Sequence, residues 1–341
     1  MKTIKEKSMN NFKKIGLSAL AGSLAAFSAN AAEMSVSGSA AVTYNNGDSS
    51  EVTGNPYGMN TSLGFTGSGD VNGYETTLFV TAADKFGGMS SASLTVDMGD
   101  MGSIAFDQGV GIGGISTIDD KTPSAYEEVW DNLDAVTGDE NGLVGGGNSG
   151  VFVYSNTVMG SAFSAQVGKG GSAATANGGV SGGATSGTSW DFAITNSDLA
   201  DGLTVGAGYG QIANANQDTA GGGDDTDEHM TAFFTYSMSG ITAGYQMSQI
   251  TENTDGGTSE EATGWSIAAN IMDGLSVSYG EREIEHQKPS AAHVTEDQEG
   301  IAVAYTMGSA KVSFQNNEVS NNGGTAGTSD ENTEINLALS F

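Results

Sequence analysis

The chain has 341 residues, with 41 acidic side chains against 11 basic ones, 52 glycines, three prolines and no cysteine. A formal charge of −30 excludes nucleic acid and anionic membrane surfaces as partners, because a chain of that sign repels polyanions. The absence of cysteine excludes a disulfide-stapled fold and thiol chemistry, so stability has to come from packing and backbone pairing.

Lys2, Lys5, Lys7, Lys13 and Lys14 precede a compact apolar run from Ile15 to Phe27, and Ala29-Asn30-Ala31 follows as a small-x-small cleavage site. Residues 1–31 are expected to be a cleaved secretory signal peptide and 32–341 a single domain. The apolar run is too short for a spanning helix, and no later stretch approaches the ~18 consecutive apolar residues that one needs. Cleavage would remove five of the 11 basic residues and one of the 41 acidic ones (Glu6), leaving 6 against 40 and a charge of −34. A hydrophobic content of 37% is low for a membrane protein built of helices. It suits a membrane barrel, where only alternate strand residues face lipid, and it also suits a partly disordered chain or a secreted acidic repeat protein.

Periodicity separates these readings. Met34, Val36, Gly38, Ala40, Val42 and Tyr44 alternate with small polar residues as a first strand, and 45–58 reads as a loop. A second strand near 59–66 meets a tight turn at 68–73. The third carries Tyr74, Thr76, Leu78 and Val80 on one face. A longer connection through Asp84-Lys85 leads to Ala92, Leu94 and Val96, and the turn at 98–102 leads to Ile104 and Phe106.

From Asp107 to Ser149 the rhythm breaks. An undecorated stretch of that length in a compact domain is usually functional or disordered. It holds Ile118-Asp119-Asp120-Lys121, then a segment from Ser124 to Asp134 that predicts a short helix, with Ser124 as N-cap, Glu127 three places on, and Trp130 and Leu133 as anchors. Charge and anchors together point to a loop that packs inward.

The rhythm resumes with Val151 and Val153, a turn at 158–160, then Phe163, Ala165 and Val167. Trp190, Phe192 and Ile194 turn at 197–202 into Leu203, Val205, Ala207 and Tyr209. Ala232, Phe234 and Tyr236 turn at 237–240 into Ile241, Ala243, Tyr245 and Met247. Trp265, Ile267, Ala269 and Ile271 turn at 272–274 into Leu275, Val277 and Tyr279; Ile301, Val303 and Tyr305 turn at 307–309 into Val312 and Phe314. The last strand places Ile335, Leu337, Leu339 and Phe341 on one face, an edge that needs a partner or closure into a barrel. Tight turns alternate strictly with longer loops, which predicts an all-β fold: a transmembrane antiparallel β-barrel of 16 strands with a long loop at about 107–149, between strands five and six. A sandwich has no reason to sort its loops by length so strictly.

With the leader, the ordered loop lengths and the terminal strand in view, the mature chain resembles the general bacterial porins, trimeric outer-membrane channels of Gram-negative cells, in their alphaproteobacterial form. Gly102-Ser103-Ile104-Ala105-Phe106-Asp107-Gln108-Gly109 is similar to the glycine-led strand that precedes the constriction loop of that family. The resemblance implies a homotrimer in outer-membrane lipid, a long loop folded inside to narrow the pore, and Ile335, Leu337, Leu339 and Phe341 as the signal read by the barrel assembly machinery. It departs in one respect: the family faces its constriction acids with clustered arginines, and this mature chain has only Arg282.

Carboxylates at a constriction replace part of a cation's hydration and raise the barrier to anions. The loop candidates are Asp119, Asp120, Glu127, Glu128, Asp131 and Asp134. Alternation points Glu75, Asp107, Gln166, Asp191 and Gln246 inward as pore wall, and Arg282 and Lys311 share that parity. The expectation is a cation-preferring channel for small hydrophilic solutes, without cofactor. The acidic stretches 224–228 and 258–261 offer oxygen for weak Ca²⁺ binding but lack the spacing of a dedicated loop, and solvated acid, suited to a saline habitat, is the stronger reading. An enzyme is a poor reading: His229, His286 and His293 have no HExxH or GxSxG context. An acidic secreted solenoid is the alternative, and the single Gly-Gly-Gly-Asp-Asp run lacks the recurrence that one needs.

Overall fold

The computed structural model describes residues 33–47, 55–83, 89–133, 149–168, 188–213, 226–253, 257–289 and 291–341. The expected leader at 1–31 lies outside these residues, as do Lys85, Asp134 and Asp224-Asp225. Among the described residues, alternation of the kind read above produces sixteen strands. They are β1 Glu33–Gly47, β2 Tyr57–Val71, β3 Tyr74–Ala83, β4 Met89–Asp97, β5 Ser103–Gln108, β6 Ser149–Val158, β7 Ser161–Gly168 and β8 Ser189–Asn196. The second half comprises β9 Leu203–Ala213, β10 Thr226–Met238, β11 Ile241–Thr251, β12 Ser259–Met272, β13 Leu275–Gln287, β14 Val294–Met307, β15 Ala310–Ser320 and β16 Ser329–Ser340. Each strand pairs with its sequence neighbours and β16 returns to β1, closing the barrel. Closure leaves no sheet edge unpaired. It also disposes of the solenoid alternative.

Every second connection is tight, and local chemistry explains why. Asn72-Gly73, Met159-Gly160 and Ser239-Gly240 each place two successive residues at positive φ (56° and 90°, 51° and 75°, 52° and 82°). That is the backbone of the two-residue hairpin turn whose twist matches its strands. These turns gather at one end of the barrel and the longer connections at the other. Strands run further than alternation alone indicated: β2 continues to Val71, so its turn is two residues and not six.

The sheet is apolar outside and polar inside. Trp190, Ile194, Phe234, Trp265, Ile267, Ile301, Ile335 and Leu337 are exposed on the outer face, while Asp191, Gln246, Gln298, Gln315, Asn317 and Asn332 are buried within. This inversion is what a barrel surrounded by hydrocarbon requires. One parity differs from expectation. Val151 and Val153 are buried inside, at 2% and 3% exposure, and Phe152 faces out at 58%. The reason is that the interior here is filled by apolar chain, so valine is favoured on both faces of β6.

The seam closes on its last residue. Gly38 N–H donates to the Phe341 carbonyl at 2.8 Å, and Phe341 N–H donates back at 2.9 Å. A Cβ on Gly38 would lie 2.5 Å from the Phe341 ring, so the ring occupies the space that glycine leaves.

Candidate functional site

Beyond β5 the chain leaves the wall and runs through the barrel interior. Asp107, with no exposed surface, makes the turn: Oδ1 accepts from Val110 N–H at 2.8 Å, and Oδ2 accepts from Gly111 and Ile112 N–H at 2.8 and 2.9 Å. An ionised carboxylate is acceptor-only and can hold several donors at once. Ile112 then packs on Ala105, Val151 and Val153. Next, Gly114 N–H donates to Ser164 Oγ at 2.9 Å and Ile115 N–H to Asp191 Oδ1 at 2.7 Å, while Gln166 steadies the other oxygen of Asp191 at 2.8 Å. A 3₁₀ turn at Ile115–Ile118 buries Ile115 and Ile118 against Ala193 and Phe233. Gly208 makes room for them, since a Cβ there would fall 2.8 Å from Ile115.

Gln246 holds the next stretch through both ends of its amide. Its Nε2 donates to the carbonyls of Ile118 and Asp119 at 2.9 Å each, and its Oε1 accepts from Lys121 N–H at 2.8 Å. Ser266 Oγ donates to Pro123 O at 2.7 Å and Ser278 Oγ accepts from Ala125 N–H at 2.9 Å. The short helix expected from Ser124 does not form. Ser124 Oγ instead donates to Glu127 O and accepts from Tyr126 N–H, and the wall claims backbone carbonyls of the stretch, those of Pro123, Glu128 and Asp131 accepting from Ser266, Gln315 and Asn317.

At its far end the segment reaches β15 and β16. The Glu128 carbonyl accepts from Gln315 and Asn317 at 3.0 and 2.9 Å. Glu334 takes the Tyr126 hydroxyl on one oxygen and Asn132 Nδ2, at 2.6 Å, on the other. Leu133 is buried. Arg282 and Lys311, the two wall cations expected, lie over aromatic faces of the segment: Arg282 is 4.3 Å from the Trp130 centroid and Lys311 is 5.3 Å from that of Tyr126. Such contacts hold a cation without neutralising it.

Residues 109–133 therefore follow the inner wall from β6 round to β16, and the candidate acids Asp119, Asp120, Glu127, Glu128 and Asp131 ride on them, all half-buried. Burial pushes Asp131 up to about 6, with Glu334 and Glu128 adding to it. Burial likewise pushes Glu127 up to about 7, with Asp131, Glu128 and Glu334 adding and Lys311 opposing. Asp120 and Glu128 lie side by side and are both raised, again mainly by burial. Desolvation beside like charge favours the protonated form. Between segment and wall on the short-turn side is a cavity of about 780 Å³, lined by Asp97, Asp100, Ile112, Thr117, Ser155 and Ser164.

The sequence-predicted wall residues divide by task. Asp107, Gln166, Asp191 and Gln246 clasp the segment. Glu75 sits apart near the short turns, in register with Asp70 and Asp97 on the neighbouring strands. Asp134 lies outside the described residues. Ser164, Ser266, Ser278, Gln315, Asn317 and Glu334 are not among the expected site residues, although they share the inward parity of Gln166, Asp191 and Gln246 on their strands.

No family model and no curated protein sequence matches this chain. Solved structures do. OmpT, an outer-membrane protein of Vibrio cholerae, superposes with a TM-score of 0.67 at 14% identity over 91% of this chain and 98% of its own. The anion-selective porin of Comamonas acidovorans gives 0.63 at 13% identity over 91% and 100%. The outer-membrane channel DcaP of Acinetobacter baumannii gives 0.62 at 13% over 91% and 97%. The fold is that of the outer-membrane barrels. At these identities the likeness extends to architecture alone.

Proposed function

We propose that this chain is an outer-membrane porin, a water-filled, cation-preferring channel for passive diffusion of small hydrophilic solutes and ions, with no catalytic step and no cofactor. The observation that carries the reading is the segment 109–133, clasped inside a closed barrel by polar side chains of β7, β8, β11, β12, β13, β15 and β16. A barrel meant only as an anchor or adhesin has no use for a half-buried row of acids held against its inner wall. Selectivity follows from the balance of charge: the five acids on the segment, which gain charge as pH rises, outnumber Lys121 among them and the two wall cations, and negative charge raises the local cation concentration in a narrow passage. One of the similar barrels, that of Comamonas acidovorans, is an anion-selective porin, which fits a fold whose preference is set by its lining and not by its architecture.

The same reading includes residence in the outer membrane of a Gram-negative cell after export by the leader, general diffusion of the alphaproteobacterial type, and delivery through Ile335, Leu337, Leu339 and Phe341 to the barrel assembly machinery. A homotrimer is supported by the trimer form of the Vibrio cholerae barrel. The test is swelling of liposomes that hold the folded protein, challenged with neutral sugars of increasing size. Entry of small sugars with a sharp upper size limit is expected. Liposomes as tight as protein-free ones, at a protein content verified by folding assay, would remove the channel.

A further inference from the structure

At the long-loop end of the barrel lies a second buried polar cluster that the channel reading does not use. On β13 the outward positions change from Leu275, Val277 and Tyr279 to Glu281, Glu283 and Glu285, so the strand beyond Tyr279 stands clear of lipid. Here His286 points inward and is 4% exposed. Its Nδ1 lies 3.0 Å from Glu260 Oε1 on β12, and its Nε2 lies 3.1 Å from Glu296 Oε2 on β14. An imidazole donates from both nitrogens only when both carry hydrogen. The geometry is therefore that of an imidazolium held between two carboxylates.

The cluster also holds a piece of chain. Glu296, with no exposed surface, accepts from Gln298 at 2.6 Å and from the backbone N–H of Gly323 at 2.8 Å. Gly323 belongs to a 3₁₀ turn at Asn322–Gly324 in the β15–β16 connection. Gly324 lies directly on the imidazole, where a Cβ would come within 2.6 Å of Cγ, and Lys288 Nζ donates to its carbonyl. The connection is thereby folded inward over the inner faces of β13 and β14. Glu260 and Glu296 are the titratable groups facing the ring. Lys288 reaches over from the end of β13, Arg282 lies two inward positions below with Ile284 between, and residues 321–328 contain no titratable side chain.

We propose that His286, Glu260 and Glu296 form a proton-operated clamp, which seats the β15–β16 connection across the long-loop mouth while the ring is doubly protonated and releases it at alkaline pH. Loss of one proton leaves a ring lone pair against a buried carboxylate, which repels it and removes the charge that compensated two acids. Hydrogen bonds donated to Glu260 and then to Glu296 push His286 up to about 9. A raised histidine contributes its stabilisation fully below the ordinary value of about 6.5 and loses it as pH climbs through the raised one. Seating is therefore complete near neutrality and lost through about pH 9. The effect on conduction rests on the channel reading, whereas the seating itself does not.

The chain has no cysteine, so Ala326→Cys, at an exposed position of the connection, carries a unique spin label. In folded protein in lipid, label motion is expected to be slow at about pH 6 and fast above about pH 10. His286→Gln, which can donate to one carboxylate only, is expected to abolish the transition. Gly324→Val, which obstructs the seat and leaves all three titratable groups, is expected to give fast motion at every pH. A parent protein whose label motion is indifferent to pH, or a His286→Gln variant with an unchanged midpoint, would overturn the clamp. Bilayer conductance over the same range is expected to rise with the label. A label transition in a protein that never conducts would uphold the clamp and sink the channel reading.

Discussion

Asp191 on β8 accepts the backbone N–H of Ile115 at 2.7 Å across 76 residues of sequence, and this bond joins the barrel wall to the root of the inward segment. Asp191→Ala removes a charged acceptor from a buried donor, a loss of about 1.5–3 kcal/mol. The barrel ladder is untouched by that change. Single-channel recordings are expected to show noisier and larger conductance, with the thermal transition of the barrel shifted by only a few degrees. Asp191→Asn, which keeps an acceptor, is expected to be milder.

Gly208 offers a second way to unseat the segment, by bulk. A Cβ at that position would fall 2.8 Å from Ile115 and 3.0 Å from Ile118, and overpacking of this kind costs about 1–3 kcal/mol. Gly208→Val is expected to increase conductance as Asp191→Ala does, and to release the segment to proteolysis in folded protein. Unchanged conductance together with protection from protease would show that the segment is held elsewhere.

The pH dependence of selectivity follows from the raised carboxylates. Asp131 and Glu127 are pushed up to about 6 and about 7 by burial and by acidic neighbours, so they are neutral in mild acid and charged in mild alkali. Cation preference is expected to strengthen as pH rises from about 5 to about 8. The sign for docking is opposite. A carboxyl raised in the folded state binds protons more tightly there, so seating of the segment is firmest in acid and weakens as pH rises through these values. Reversal potentials measured across this range test the first statement, and protease sensitivity of 109–133 tests the second.

The β1–β16 seam gives a prediction about assembly. Gly38→Val would drive a side chain into the Phe341 ring, and the two hydrogen bonds between these residues would part. A lower yield of heat-modifiable folded barrel is expected, with the double variant Gly38→Val, Phe341→Ala recovering part of it by vacating the space. No recovery would mean that the ring is needed for recognition and not only for fit.

The barrel was legible in the sequence because a strand between lipid and water repeats every two residues, and because its hairpins announce themselves as Asn-Gly, Met-Gly, Ser-Gly and Asp-Gly. Val151 and Val153 misled for the same reason. Alternation reports polarity, and at β6 the inner face is apolar because Ile112 packs on it. The acids on 119–131 could be named from sequence, but their seating could not. It depends on Gln246, Ser278 and Asn317 meeting backbone groups that lie more than 100 positions away, and on Gly208 and Gly244 leaving space for Ile115 and Pro123. The short helix expected from Ser124 does not form because a capping pattern describes local preference, and here wall donors compete for the backbone carbonyls that a helix would use.

The central claim is tested most directly by the reversal potential of single channels in a planar bilayer under a tenfold KCl gradient at neutral pH. Stepwise insertions are expected, with a potential displaced toward that of K⁺ and a smaller displacement in the Asp131→Asn variant, which removes an acid raised only to about 6 and so charged at neutral pH. Anion preference would contradict the role given to the acids on 109–133. Folded protein that inserts without conducting would contradict the channel itself.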